Sequence, residues 1–160
     1  MTPTRRVPRG GLTAVRLSSN GERVVKPNYS GEYTLNRAAS ALGPAARAIV
    51  SAKLRLSHDD PRFTCSARFA SADDAKEFTF ERFTDGRAAP PSEHGTSRCF
   101  WDAETLVTED CFGAGEGAVI MTWRYELLDD GARLRATEQL RGGGRDQDNV
   151  WEFERGLSAP

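Results

Sequence analysis

Ala118-Val119-Ile120-Met121-Thr122-Trp123-Arg124-Tyr125-Glu126-Leu127 puts Val119, Met121, Trp123, Tyr125 and Leu127 on one parity and Ile120, Thr122, Arg124 and Glu126 on the other. Alternate side chains of an extended chain point to opposite faces, so this spacing predicts a strand with one buried face. The same period recurs upstream. Phe63, Cys65, Ala67 and Phe69 alternate with Arg62, Thr64, Ser66 and Arg68; Ala52, Leu54 and Leu56 alternate with Lys53 and Arg55; Phe78 and Phe80 alternate with Thr79 and Glu81.

Turn-forming residues separate these runs. His58-Asp59-Asp60-Pro61, residues 71–75, Asp102-Ala103-Glu104, Asp129-Asp130-Gly131 and the Gly-rich residues 141–148 each predict a reversal, and Asp85-Gly86 reads as a hairpin-type turn. Between them strands are expected at 31–36, 50–57, 62–69, 76–83, 96–101, 105–110, 118–127, 132–140 and 149–155. Helical character is confined to one place. Asn36 can cap an Ala-rich segment at 37–42, Gly43-Pro44 stops it, and a second piece follows at 45–49.

Short strands joined by tight sequential turns favour an up-and-down meander, and closing it removes the exposed edges. The predicted fold is therefore all-β: an antiparallel up-and-down β-barrel of about 8–10 strands with one short helical insert after the first strand. The first and last strands are expected to close it. A Rossmann sheet, a helical bundle and an α+β cone would all need more helix than the sequence offers.

The chain of 160 residues fits one domain, divided into a flexible N-terminal tail at 1–27, a barrel domain at 28–156 and a C-terminal tail at 157–160. A short strand around 12–17 is conceivable within the tail, whose Arg5, Arg6 and Arg9 are the one local concentration of basic charge. Elsewhere 22 basic and 23 acidic residues are interspersed, for a net charge of −1. That balance predicts no nucleic-acid partner.

No run approaches the ~20 apolar residues of a membrane span, and no apolar stretch of roughly 7–15 residues follows the basic start, so no secretory signal is expected. Cys65, Cys99 and Cys111 are odd in number and lack metal-ligand spacing. Reduced thiols in a cytoplasmic protein are the expectation. A turn centred near Ala103 would set Cys99 opposite Val107 and Cys111 opposite Gly95, which opposes a bridge between them.

Ser30-Gly31-Glu32-Tyr33-Thr34-Leu35-Asn36-Arg37-Ala38-Ala39-Ser40 resembles the opening of bacterial lipocalin-like (calycin-type) β-barrel proteins. So do Asp85-Gly86, the Trp101-Asp102 step into Leu106-Val107, the run from Trp123 to Gly131 and the terminal Phe153-Glu154-Arg155. The resemblance spans about residues 28–155. It implies that a Gly-x-aromatic on the first strand packs under an arginine of the last, here Gly31 and Tyr33 against Phe153 and Arg155. Tyr33 stands where lipocalins carry Trp, which keeps a ring for the guanidinium with a weaker cation–π partner. Independently of any family, Trp151, Phe153 and Arg155 share a parity, so Arg155 either stacks on a ring or snorkels to the barrel mouth.

The inward aromatics divide two expectations. Phe63, Phe69, Phe78, Phe80, Trp101, Met121, Trp123 and Tyr125 either line a ligand cavity, with Trp151 and Phe153 beside them, or fill a solid core. An anion would need interior cations, yet Arg124 has the parity opposite Tyr125, and Arg98 that opposite Cys99 and Trp101; both are expected at the surface. His58 and His94 can in principle serve as a haem ligand or general base, but both fall in predicted turns and read as exposed. Asp59-Asp60, Asp73-Asp74 and Asp129-Asp130 diverge as turn neighbours, whereas acid/base pairs must converge. Gly142-Gly143-Gly144-Arg145 lacks the following helix of a phosphate loop and reads as a hairpin. No metal site and no cofactor are predicted.

The sequence thus predicts a binder of a hydrophobic or amphipathic small molecule, admitted through the barrel end near the helical insert. An enzyme acting on an apolar substrate in the lumen, an isomerase, cyclase or hydrolase, is the alternative; it would need at least two convergent polar groups there, for example Tyr125 with Thr105 or Glu109. A structural or protein-interaction domain would instead show a large exposed apolar patch. Ligand identity and oligomeric state are not written in the residues.

Overall fold

Period-two alternation becomes strand throughout the computed structural model, which describes residues 25–157. The strands are β1 (Gly31–Leu35), β2 (Ser51–Asp59), β3 (Arg62–Ala70), β4 (Ala75–Phe83), β5 (Asp85–Ala88), β6 (Thr96–Asp102), β7 (Thr105–Phe112), β8 (Val119–Leu128), β9 (Arg133–Arg141) and β10 (Gln147–Arg155). Strand β2 shows the pattern plainly: Ala52, Leu54, Leu56 and His58 are buried, and every residue between them is exposed.

The ten strands form one antiparallel sheet in the order β4-β3-β2-β1-β10-β9-β8-β7-β6-β5. Consecutive strands are neighbours, and the first pairs with the last through Tyr33↔Arg155, Thr34↔Glu154 and Leu35↔Phe153. The first-to-last junction is thus fully hydrogen-bonded. The sheet's two free edges, β4 and β5, lie elsewhere and form a seam without a ladder between them. Side chains cross it instead: Arg82 on β4 donates to Ser97 of β6 at 3.0 Å and to Asp110 of β7 at 3.3 Å.

Outward positions carry charge in register across strands. Arg55 pairs with Glu32, Arg68 with Glu77 and Arg98 with Glu109, and Arg124 reaches diagonally across β7 to Asp102 of β6. Exposed pairs of this kind contribute about 0–1 kcal/mol each. Their greater consequence is a water-facing outer wall, the reverse of a lipid-facing one. Among the described residues no helix is long and apolar enough to cross a membrane.

Four local expectations are corrected. The helical insert is a turn at 37–39 and a single 3-10 turn, Ala46–Ala48. Asn36 does cap, its Oδ1 accepting the Ala39 N–H at 3.1 Å. Ala41 then exchanges both backbone hydrogen bonds with Val150 at 2.8 Å, which pulls the chain onto β10 before a helix can propagate. Asp85-Gly86 is no hairpin turn but the start of β5: the preceding Thr84 N–H goes to Pro61 O at 2.8 Å, and β5 pairs only with β6. The β6–β7 reversal uses two residues, Ala103 and Glu104, so Cys99 faces Thr108 and Cys111 faces Thr96, one place from the predicted register; all three cysteines are free. His58 lies on β2 opposite Phe63, buried, whereas His94 is exposed as expected.

The expected strand at 12–17 and the arginines at 5, 6 and 9 lie outside the described residues, as do 158–160. Of the expected tail, Lys26 sets its ammonium 5.1 Å from the centre of the Trp101 indole and 3.8 Å from Asp60 Oδ2.

Candidate functional site

The barrel interior is solid at one end and hollow at the other. Tyr29, Tyr33, Phe63, Leu106 and Leu134 are almost completely shielded and make the floor. Tyr29 seals it from below, its hydroxyl donating to Tyr125 O at 2.6 Å and Glu104 O at 3.2 Å. Burial pushes the Tyr29 phenol up to about 12. The Arg155 guanidinium lies 5.6 Å from the Tyr33 ring centre and donates to Ser30 O and Gly131 O. A Cβ on Gly31 would stand 2.8 Å from Arg155 Nε, so glycine is what lets the guanidinium settle there. Stacked arginine, not a ligand-binding one, is the arrangement found.

Also at the floor is His58. Its Nδ1 takes the Tyr29 N–H at 3.4 Å, and its Nε2 is 3.6 Å from Asp60 Oδ1 without a hydrogen bond. Asp60 accepts from Thr84 Oγ1 at 2.5 Å and from Trp101 Nε1 at 3.1 Å. Partial burial alone would raise the Asp60 carboxyl; those donors and Lys26 outweigh it and hold it below its ordinary value.

Above the floor lies a cavity of about 1030 Å³. Six of the eight predicted lining residues meet it: Phe69, Phe78, Phe80, Met121, Trp123 and Tyr125. Phe63 and Trp101 do not; they belong to the floor, Phe63 5.8 Å from the Tyr125 ring and Trp101 5.5 Å from His58. Trp151 and Phe153 complete the wall. Phe69 and Phe78 stack with planes 8° apart, and Trp151 meets Phe69 edge-on. Phe78 lines the cavity yet remains 47% exposed, so the hollow communicates with solvent. Ala45, Ala46 and Ile49, from the chain that crosses between β1 and β2, border it.

The polar lining was missed by the sequence reading except for Tyr125. Arg82, Ser97, Thr108 and Asp110 face the cavity near the seam, and Glu138 and Asn149 face it from β9 and β10. The signal was present. Arg82 shares the parity of Phe78 and Phe80, Asp110 that of Leu106, and Glu138 that of Leu134 and Ala136. Arg82 lies 4.9 Å from the Phe80 ring centre and reaches Asp110 and Ser97; Ser97 Oγ also bonds to Asp110. Glu138 Oε2 accepts from Asn149 Nδ2 at 2.9 Å and Trp151 Nε1 at 3.0 Å.

The example pair of Tyr125 with Thr105 or Glu109 does not converge. Tyr125 sits opposite Leu106, on the inward parity, while Thr105 and Glu109 have the outward one and Glu109 bonds Arg98 at 2.9 Å. Burial raises the Tyr125 phenol well above its ordinary value and pushes the Cys65 and Cys99 thiols up to about 12. These three groups therefore stand as neutral hydroxyl and thiols around neutral pH, donors rather than nucleophiles.

Solved structures contain this barrel. The chain is similar to one described as "REP1-NXSQ fatty acid transporter", with 12% identity, 81% of this chain and 97% of that chain covered and a TM-score of 0.53. It is equally similar to secretory abundant heat soluble protein 4 from Ramazzottius varieornatus, at 15% identity, 85% and 99% coverage and a TM-score of 0.53. The chain shares their antiparallel β-barrel fold. At such identities the likeness is one of fold alone, and the scaffold leaves the ligand to be argued from the cavity. No family model and no curated protein sequence matches the chain.

Proposed function

We propose that this barrel binds a lipophilic small molecule in its cavity. The observation that carries the reading is the hollow itself: about 1030 Å³, walled by Phe69, Phe78, Phe80, Met121, Trp123 and Trp151, with a few polar groups gathered near the seam. Concave, mostly apolar lining with a small number of orienting polar atoms is what small-molecule sites require. Each ligand methylene moved from water into such a wall gains about 0.8 kcal/mol, so a medium-length alkyl chain supplies ample driving force. The solid floor sets the depth, and the ligand enters at the end bordered by Ala45, Ala46 and Ile49. The fatty-acid transporter that shares the fold supports a lipophile as cargo. Free cysteines fit a reducing compartment such as the cytoplasm.

Native mass spectrometry of protein purified from its own host tests this. The expected result is one lipophilic adduct per chain, lost on organic extraction and restored by a neutral dye such as Nile red. An empty chain that also fails to take Nile red after extraction would overturn the proposal.

A further inference from the structure

We infer that the cavity selects an uncharged lipophile bearing a hydroxyl or carbonyl group over a fatty-acid anion, and that the Arg82–Asp110 pair is the element that turns the carboxylate away. This rests on the cavity being the ligand site. A barrel that captures a carboxylate must offer it a cation free to pair. Arg82 is the sheltered cation of this wall, and it is engaged: its Nη2 is 3.3 Å from Asp110 Oδ1 and 3.0 Å from Ser97 Oγ. Both partners are shielded, with side chains 20% and 18% exposed.

Arg82 Nη1 is taken as well, donating to Glu81 O at 3.0 Å, so an entering carboxylate would have to share with Asp110 a guanidinium whose charge that anion already offsets, or leave Asp110 unpaired in a partly dry site. Across the cavity a second anion, Glu138, is fixed by Asn149 and Trp151 and repels the same headgroup. The remaining cation of the wall, Lys76, is exposed. The fixed charges facing the cavity therefore balance, Lys76 and Arg82 against Asp110 and Glu138, with the His94 imidazole also on the lining. A cationic headgroup finds Asp110 already paired and has only the second carboxylate oxygen of Glu138 to reach, Oε2 being taken by Asn149 and Trp151, and it must shed its hydration to do so. Neutral hydrogen-bonding groups remain for a ligand, among them the Tyr125 and Thr108 hydroxyls, the first held protonated by burial. An alcohol or carbonyl oxygen uses such groups without bringing charge into the barrel.

The test uses the full chain, delipidated and loaded with Nile red at pH 8, and displaces the dye with 1-decanol, decanoate or decylamine. Decanol is expected to displace it at a concentration roughly tenfold or more below that of either charged chain. Asp110→Asn frees Arg82 and should bring decanoate affinity up about tenfold while decanol stays within about twofold. Glu138→Gln should shift decanoate in the same direction, which keeps the test open if Asp110→Asn does not fold. Wild-type protein that prefers decanoate or decylamine, or folded variants that gain no affinity for decanoate, would overturn the inference. Failure of Nile red and all three chains to bind would instead overturn the ligand-binding reading beneath it.

Discussion

The guanidinium of Arg155 lies 5.6 Å from the ring centre of Tyr33, on the strand pair where the chain's first and last strands meet. It ties three segments together, because its two terminal nitrogens also reach the carbonyls of Ser30 and Gly131. A desolvated cation–π contact contributes about 1–2 kcal/mol. Arg155→Ala should cost more than Tyr33→Leu loses by its ring contact alone, since it leaves two carbonyls without their donor. Urea unfolding of both single variants and the double variant should give a coupling energy of about 1 kcal/mol; additive losses would show that the ring and guanidinium do not interact.

Floor and wall should separate in their response to truncation. Phe63 is completely buried, and Phe63→Ala is expected to cost about 3–5 kcal/mol of stability. Phe78, half-exposed in the cavity mouth, should lose little stability on truncation but weaken dye binding severalfold. Urea midpoints measured beside Nile red titrations distinguish the two effects. Equal destabilisation would mean that the interior is one continuous core.

Tryptophan emission should report the ligand selectively. Trp123 and Trp151 face the cavity and Trp101 lies in the floor. Trp101→Phe should leave the ligand-induced change in emission largely intact, whereas the combined Trp123→Phe and Trp151→Phe variant should lose it. The reverse pattern would place the ligand below Tyr125.

Acid stability should depend on Asp60. Its folded carboxyl is held below its unfolded value, so the stability it contributes is present above about pH 4 and is lost as pH falls through the lower folded value. Asp60→Asn should therefore be less stable than wild type at pH 7 and converge with it in the acid range. A constant difference from pH 7 to pH 2 would show that the Thr84 and Trp101 hydrogen bonds do not favour the ionised form.

Thiol accessibility should follow burial. Cys65 and Cys99 are buried with thiols raised to about 12, while Cys111 is half-buried. A thiol-reactive disulfide reagent at pH 8 should modify Cys111 first, and all three only after denaturation. Rapid native modification of Cys65 would indicate that the cavity opens to the reagent.

Parity carried most of the architecture in the sequence, because β2, β3, β9 and β10 each bury alternate residues and a register slip would expose them. It could not supply height. Phe63 and Phe69 share a face of β3, yet one seals the floor and the other walls the cavity, a difference set by the stagger of neighbouring strands. His58 was legible as the next inward position after Leu56; the adjacent Asp59-Asp60-Pro61 drew it into a predicted turn. Arg82 and Asp110 were legible by the same rule but looked like solvent-facing charges. The approach of β4 to β6 across the unladdered seam brings them together. The helical insert was overread because local propensity favoured a helix where pairing of Ala41 with Val150 was stronger.

Filling the cavity from its wall tests the central claim most directly. Ala67 is buried, sits opposite Phe78 and projects into the hollow. Nile red should bind delipidated wild type at one molecule per chain, and Ala67→Phe should lower that affinity about tenfold or more while far-ultraviolet circular dichroism stays unchanged. Undiminished binding by the folded variant would contradict the account, because the dye would then be held somewhere other than the barrel.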